Sequence, residues 1–250
     1  MHVADNRQVR AKFQTAIHLL FPPRCVACGH MVESDFGLCS TCWAETTFIG
    51  GAVCDSCGRP VTAEVSECRV VCDDCLSDPP LWSQGRSAIL YRDAGRNLIL
   101  AFKHGDRTDI AIPAAQWLYQ AVHPHLSGVD VIAPLPLHRL RFLKRRYNQA
   151  SLLAKNLASL SGIPFCADLL VRPRGLGGLE GLGAVERAEK LRGAIEPNRR
   201  RAHLISGSKV LLVDDVLTSG ATLRAATQAC LTANAKEVCV ATLARVAKDA

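Results

Sequence analysis

Lys209-Val210-Leu211-Leu212-Val213-Asp214-Asp215-Val216-Leu217-Thr218-Ser219-Gly220-Ala221-Thr222-Leu223 carries the most informative pattern in the chain. An unbroken apolar run ends in two carboxylates, a short Thr/Ser/Gly loop follows, and then an Ala-rich segment at 225–229. This is the pattern of a buried parallel strand, a tight turn and the start of a helix. At the carboxyl end of such a strand, free N–H groups and the helix dipole converge on one point, which suits a phosphate. Thr218, Ser219 and Thr222 add hydroxyl donors, and Gly220 lets the backbone approach a ligand. Asp214 and Asp215 would repel that phosphate. They suit a neighbouring polyol or a metal, and a phosphate beside a diol is a sugar phosphate.

Around this stretch, strand-like runs alternate with helical ones. Residues 88–91 read as a strand, 93–95 as a turn, and 96–103 and 110–122 as helices. Between the helices lies Phe102-Lys103-His104-Gly105-Asp106-Arg107, either a solvated connection or a place where Lys103 and Arg107 reach an anion. Residues 129–134 are a further strand, running into Pro134-Leu135-Pro136 and then Arg139, Arg141, Lys144, Arg145 and Arg146. A charge run is usually a solvated face, but this one falls at a strand's carboxyl end, where α/β folds bind ligands. A helix from about 149 to 160, a short strand at 169–171 and a flap at 172–183 with five glycines follow. Residues 186–192 read as a helical turn, 199–201 as a solvated basic loop, and 237–243 as the last strand. Alternation of this kind predicts a mostly parallel sheet flanked by helices, from about 86 to 250.

Nine of the twelve cysteines lie between Cys25 and Cys75. Cys25/Cys28 with Cys39/Cys42, and Cys54/Cys57 with Cys72/Cys75, form four C-x-x-C pairs. Each pair can place two sulfurs on a tetrahedral zinc, and two pairs close a site. Sequential pairing keeps the loops short. Gly29 and Gly58 follow the second cysteine of a pair, where the knuckle needs a permissive backbone. Cys68 is left over and His30 is a weaker ligand candidate. With every ligand position filled, residues 23–77 read as a structural module or an interaction surface. Zinc ribbons also touch nucleic acid, which keeps that role open. Cys166, Cys230 and Cys239 stand alone in apolar surroundings and read as core residues.

The remaining bounds are broad. Residues 1–22 hold a short amphipathic helix from about 7 to 20 that ends at Pro22-Pro23, and residues 76–85 read as a linker. No apolar run is long enough to span a membrane and no export signal is visible, so thiolates in a reducing cytoplasm are expected. Thirty Lys and Arg against 23 Asp and Glu give a formal charge of +7, which favours anionic partners. The chain has no G-x-x-x-x-G-K-[ST] and no G-x-G-x-x-G after an early strand, and its paired Asp lie too late for a phospho-receiver.

Residues 210–223 resemble the phosphoribosyl pyrophosphate (PRPP) motif of type I phosphoribosyltransferases. From about Cys25 onward the chain resembles the ComF family, in which a double zinc ribbon precedes such a domain. The likeness rests on the paired C-x-x-C units, Phe102-Lys103-His104-Gly105, Pro134-Leu135-Pro136 with Tyr147-Asn148-Gln149, and residues 213–222. It implies that Asp214 and Asp215 hold the ribose hydroxyls. Val213, Val216, Leu217, Thr218, Ser219, Gly220, Ala221 and Thr222 complete the PRPP cradle. The resemblance also implies that the loop after Pro134 faces pyrophosphate, with Mg²⁺ bridging the ligand. Lys103, Pro134, Leu135, Pro136, Arg139, Arg141, Lys144 and Arg145 are the pyrophosphate-side candidates, with Asp214, Asp215 and Lys103 as the catalytic ones.

The family's Arg-Gly-Phe-Asn-Gln run is altered here at Arg146 and Tyr147, and three polar positions of its flap stand as Leu176, Leu179 and Lys190. Two expectations follow from the resemblance. One is phosphoribosyl transfer to a base or amine acceptor. The other is a PRPP-sensing or non-enzymatic protein that binds single-stranded DNA, or works with DNA-processing proteins, in uptake (competence) or repair.

Overall fold

The structure is a computed structural model, and it describes residues 21–35, 37–62, 69–104, 107–137, 147–172 and 195–246. The expected N-terminal helix, Cys68, the basic run 139–146 and the flap beyond Arg172, with Leu176, Leu179 and Lys190, lie outside these residues.

Two short helices, α1 (Ser40–Glu45) and α2 (Asp73–Ser77), belong to the cysteine-rich segment. The α/β part follows as β1 (Gln84–Leu90), α3 (Asp93–His104), α4 (Ala111–Val122), β2 (Val131–Pro134) and α5 (Gln149–Ser161). It continues as β3 (Leu170–Val171), β4 (Glu196–Pro197), β5 (Lys209–Leu217), α6 (Ala221–Thr232) and β6 (Glu237–Arg245). Strands β1, β6, β5 and β2, in that order, form a wholly parallel sheet. Strands β3 and β4 form a separate antiparallel pair.

The period-2 alternation of β5 sorts its side chains onto two cores. Leu211 and Val213 join the side built on Leu98 and Phe102 of α3, Leu118 of α4 and Leu153 of α5. Val210 and Leu212 join the opposite side, with Leu223, Ala226 and Cys230 of α6. Both faces are therefore covered, which is why β5 reads as a continuous apolar run rather than an alternating one. Cys166, Cys230 and Cys239 are buried core residues, as expected, and burial alone pushes the Cys230 thiol up to about 12.

Two readings need correction. Residues 93–95 are the first turn of α3 rather than a separate turn, with Asp93 at φ 47° where the chain leaves β1. Residues 76–85 are not a loose linker. Their first residues finish α2, Gln84 and Gly85 open β1, and Trp82 is 5% exposed. The short strand expected at 169–171 is present as β3, and among the described residues it pairs with β4 rather than with the parallel sheet.

The cysteine-rich segment is built into the sheet's outer margin. Residues 47–49 run antiparallel to β1, with Ile49 N–H donating to Ala88 O at 2.8 Å and Leu90 N–H to Thr47 O at 2.9 Å. Phe48 stacks between Trp43 and Trp117, at 4.5 and 5.4 Å between ring centres, and so ties α1 to α4. The segment around Cys54 and Cys57 lies against the start of β1, where Gly85 N–H donates to Asp55 O at 3.0 Å and Arg86 pairs with Asp55. Gly58 has φ +71°, and a Cβ there would sit 3.0 Å from Arg86 Cα. Only glycine tolerates both conditions.

Candidate ligand site and metal centres

The cleft forms where β5 ends. Asp214 and Asp215 are its last polar side chains before Leu217, and the chain then turns through Thr218 and Ser219 to Gly220 at φ +75°. That left-handed residue caps α6 with no capping side chain, and no acid lies in the first turn of the helix. The first N–H groups of α6 are thus left for an anion, with the helix dipole behind them. Thr218 and Ser219 are exposed at the tip and Thr222 lines the cleft. Val213, Val216 and Leu217 turn their side chains into the two cores, so these positions offer a ligand only backbone.

Opposite β5 stands the end of α3. Lys103 Nζ lies 3.2 Å from Asp215 Oδ1. The Asp214 carboxylate accepts from Asp215 N–H at 2.9 Å. Desolvation, and then the charge of Asp215, push the Asp214 carboxyl up to about 7, while Lys103 and Arg172 pull it the other way. The cavity, about 140 Å³, is lined by Lys103, Leu135, Pro136, Leu137, Asn148, Gln149, Ala150, Arg172, Asp214, Asp215 and Thr222.

Three side chains lock the walls together. Tyr147 Oη donates to Phe102 O at 2.8 Å, and Gln149 Nε2 reaches Phe102 O and Lys103 O at 3.2 and 3.3 Å. Asn148 Nδ2 donates to Leu135 O at 3.1 Å. The segment opening α5 thereby fixes both the carboxyl end of α3 and the exit of β2. Satisfying those carbonyls leaves Asn148 Oδ1 and Gln149 Oε1 buried without a hydrogen-bond partner among the described residues.

The structure brings together Lys103, Leu135, Pro136, Asp214, Asp215 and Thr222, all singled out from the sequence. Pro134 is the buried last residue of β2, just behind them. Arg107 is placed elsewhere: its guanidinium holds Asp109 at 2.7 Å and Val26 O at 3.2 Å, joining α4's approach to the first cysteine knuckle. Arg139, Arg141, Lys144 and Arg145 lie outside the described residues. Leu137 and Ala150 carried no signal in the sequence, because an apolar residue beside a polar cleft looks like any other apolar residue.

The eight paired cysteines gather as two sequential groups, Cys25/Cys28/Cys39/Cys42 and Cys54/Cys57/Cys72/Cys75, with the sulfurs of each group within 4.8 Å of one another. Cys28 and Cys39 sulfurs are 3.6 Å apart, and those of Cys57 and Cys72 are 3.7 Å apart. A tetrahedral zinc with Zn–S near 2.3 Å needs sulfurs about 3.8 Å apart, so both groups fit that metal. His30 is in neither group among the described residues; its carbonyl accepts from Cys25 N–H at 2.7 Å.

Fold and cysteine geometry define a type I phosphoribosyltransferase-like α/β protein with a double zinc ribbon. A double zinc ribbon domain family matches residues 16–76, and a phosphoribosyl transferase domain family matches residues 149–250. The chain is 30% identical over 214 residues to Competence protein F of Haemophilus influenzae, which covers 80% of this chain and 87% of that protein. It is 29% identical to DNA utilization protein YhgH of Salmonella typhimurium, over 84% of this chain and 97% of that one. To Competence protein ComFC of Bacillus subtilis it is 28% identical, over 80% of each. The chain belongs to the competence protein F (ComF) family.

Proposed function

We propose that the cleft binds PRPP with Mg²⁺ and transfers its phosphoribosyl group to a base or amine acceptor. One observation carries the reading. A partly buried carboxylate pair ends β5 and leads directly into the uncapped N-terminus of α6, with Lys103 facing the pair at 3.2 Å. An anion alone would want the helix terminus without the acids, and a metal alone would want the acids without the lysine. A ribose carrying a phosphate on one side and pyrophosphate on the other uses all three.

In this reading the carboxylates of Asp214 and Asp215 accept the ribose hydroxyls, and the backbone and hydroxyls of residues 217–222 take the 5′-phosphate. Lys103, together with Arg139, Arg141, Lys144 and Arg145, neutralises pyrophosphate as the C1′–oxygen bond loosens. Positive charge then grows on the ribose beside two carboxylates that are already in place, so little reorganisation is needed. Two carboxylates, and two amide oxygens without a hydrogen-bond partner among the described residues, are hard oxygen donors of the kind that would suit Mg²⁺ alongside substrate phosphates. When bound it would supply further charge neutralisation at the pyrophosphate.

Calorimetric titration with PRPP and Mg²⁺ tests the reading. Heat is expected from the native protein and none from the Asp214→Asn/Asp215→Asn double variant; a native protein that gives no heat sinks it.

A second reading is favoured by the names of the relatives, a competence protein and DNA utilization proteins, and by the +7 charge. In it the basic run 139–146 and the zinc ribbons hold single-stranded DNA, in a cytoplasm reducing enough to keep eight thiolates free for metal. Affinity for an oligonucleotide should then fall steeply with salt, and a flat response excludes phosphate contacts. The two readings are compatible in one protein.

A further inference from the structure

Trp82 stands between the second cysteine knuckle and the ligand loop. Its indole Nε1–H donates at 2.6 Å to the carbonyl of Ser56, the residue before Cys57. Its opposite edge meets Gly220, where an added Cβ would lie 3.0 Å from Trp82 Cη2. At the nitrogen end, a Cβ on Gly85 would lie 2.7 Å from Ser56 O and 3.2 Å from Nε1. Glycines at both ends of the ring leave just enough room for it. The ring is 5% exposed and packs in the core that holds Leu217 and Leu223, the residues flanking the loop.

Two arginines reinforce the link. Arg224, in the first turn of α6, places its guanidinium carbon 5.9 Å from the centre of the Trp82 ring. It also donates to Pro79 O at 2.9 Å and to Asp78 Oδ2 at 2.8 Å, fastening the chain before Trp82 onto the helix. Arg245 Nη1 donates to Cys57 O at 2.9 Å, and Arg245 is the register partner of Leu217. The carbonyls of two consecutive knuckle residues are thus gripped by groups that touch the ligand loop from either side.

We propose that Trp82 is a positioning residue that transmits the metal-loaded shape of the Cys54/Cys57/Cys72/Cys75 knuckle to Gly220 and the first turn of α6. Metal at this knuckle thereby sets the geometry of the loop and, on the reading given above, its affinity for PRPP. Without its metal the four buried sulfurs lose their common tie, and Ser56 O loses the restraint that the closed knuckle adds to the bonds on Asp55 and Cys57. The indole N–H then loses its acceptor in a place that water does not reach, so the ring shifts to find another. The wall that keeps Gly220 left-handed goes with it.

Amide hydrogen exchange of the zinc-loaded full chain tests this, comparing the native protein with Trp82→Phe and Cys57→Ser. Phenylalanine keeps most of the packing and removes only the N–H. Exchange in peptides covering 217–226 should quicken roughly fivefold or more in both variants, as expected for the loss of about one buried hydrogen bond. The β5 and β6 interior amides should hold their native rates. PRPP dissociation constants should rise about tenfold, the scale of a charged-site hydrogen bond. Native exchange in the loop of a folded Trp82→Phe protein overturns the proposal. Changed exchange with no PRPP heat from the native protein upholds the coupling and removes the PRPP reading instead. Should Trp82→Phe not fold, Trp43→Phe/Trp117→Phe leaves Trp82 as the sole tryptophan of the three. Its emission must shift when zinc is returned to the metal-stripped protein; flat emission overturns the proposal.

Discussion

Lys103 and Asp215 meet across the mouth of the cleft, Nζ to Oδ1 at 3.2 Å, with side chains only 19% and 15% exposed. A pair so placed is partly shielded from solvent and salt, unlike a surface ion pair. Its lysine comes from the end of a helix and its acid from the end of a strand, so the contact reports how accurately α3 docks on β5. An arriving pyrophosphate would compete with Asp215 for the ammonium.

Lys103→Met should therefore weaken PRPP binding by about 1.5–3 kcal/mol, the range for losing a charged hydrogen bond, which is roughly 10-fold to 150-fold in dissociation constant. Lys103→Arg should recover part of it. A purely structural ion pair would behave differently: the unfolding midpoint would drop while the calorimetric dissociation constant stayed the same.

Asp214 gives a pH signature. The folded chain keeps this carboxyl protonated up to about 7, against an ordinary value of 3.8, chiefly because of burial. Its contribution to stability is complete below about 3.8 and is lost as pH rises through about 7. Asp214→Asn should flatten that part of the profile, seen as a smaller drop in urea midpoint between pH 5 and pH 8. Binding runs the other way. The hydroxyl-accepting form is the carboxylate, so PRPP affinity should rise through about pH 7 in the native protein and lack this component in the variant.

Gly207 and Gly220 make a matched pair. Both are left-handed, at φ +74° and +75°, but a Cβ at Gly207 meets nothing within 4 Å, whereas at Gly220 it meets Trp82 at 3.0 Å. Gly207→Ala should cost only the backbone strain, about 1–2 kcal/mol. Gly220→Ala should cost more in denaturant melts and should also raise the PRPP dissociation constant. Equal losses at the two sites would show that the indole is not confining the loop.

Zinc should be present at two ions per chain by elemental analysis, falling to one in Cys25→Ser and in Cys54→Ser. Because apparent binding of a structural zinc is worth about 10–16 kcal/mol in small ribbons, a strong chelator should unfold the cysteine-rich segment cooperatively. Loss at Cys54 should be the more damaging, since all four sulfurs of that group sit in their own buried cluster, whereas Cys28 of the first group is exposed.

Much of this was readable in the chain. The four C-x-x-C pairs and the run ending in Asp214-Asp215 are dense local patterns, and the gathered sulfurs and the parallel β5 follow them closely. Tyr147-Asn148-Gln149 was visible only through the family likeness, since its work is to donate to carbonyls 13 to 47 residues away. Trp82 was hidden for a related reason. A single tryptophan in a proline-containing stretch has no periodicity, and the groups that fix it come from positions 56, 220 and 224. The role of Arg107 was left open by the sequence, because charge near a cleft in sequence says nothing of which carboxylate it meets first; Asp109 is two residues on.

The paired margins of the sheet have a consequence for how the chain can be divided. On the outer side of β1 lie residues 47–49, and on the outer side of β2 the chain around Phe165 bonds to Ile132, with Ile132 N–H to Pro164 O at 2.9 Å and Cys166 N–H to Ile132 O at 3.0 Å. Both flanks of the parallel sheet thus have their backbone groups at least partly occupied. Cutting the protein before residue 86 would strip β1 of that cover and of its own first residues. The bared flank would offer a strand-pairing template to another molecule, and the shortened protein would self-associate into insoluble material rather than fold as an independent α/β half.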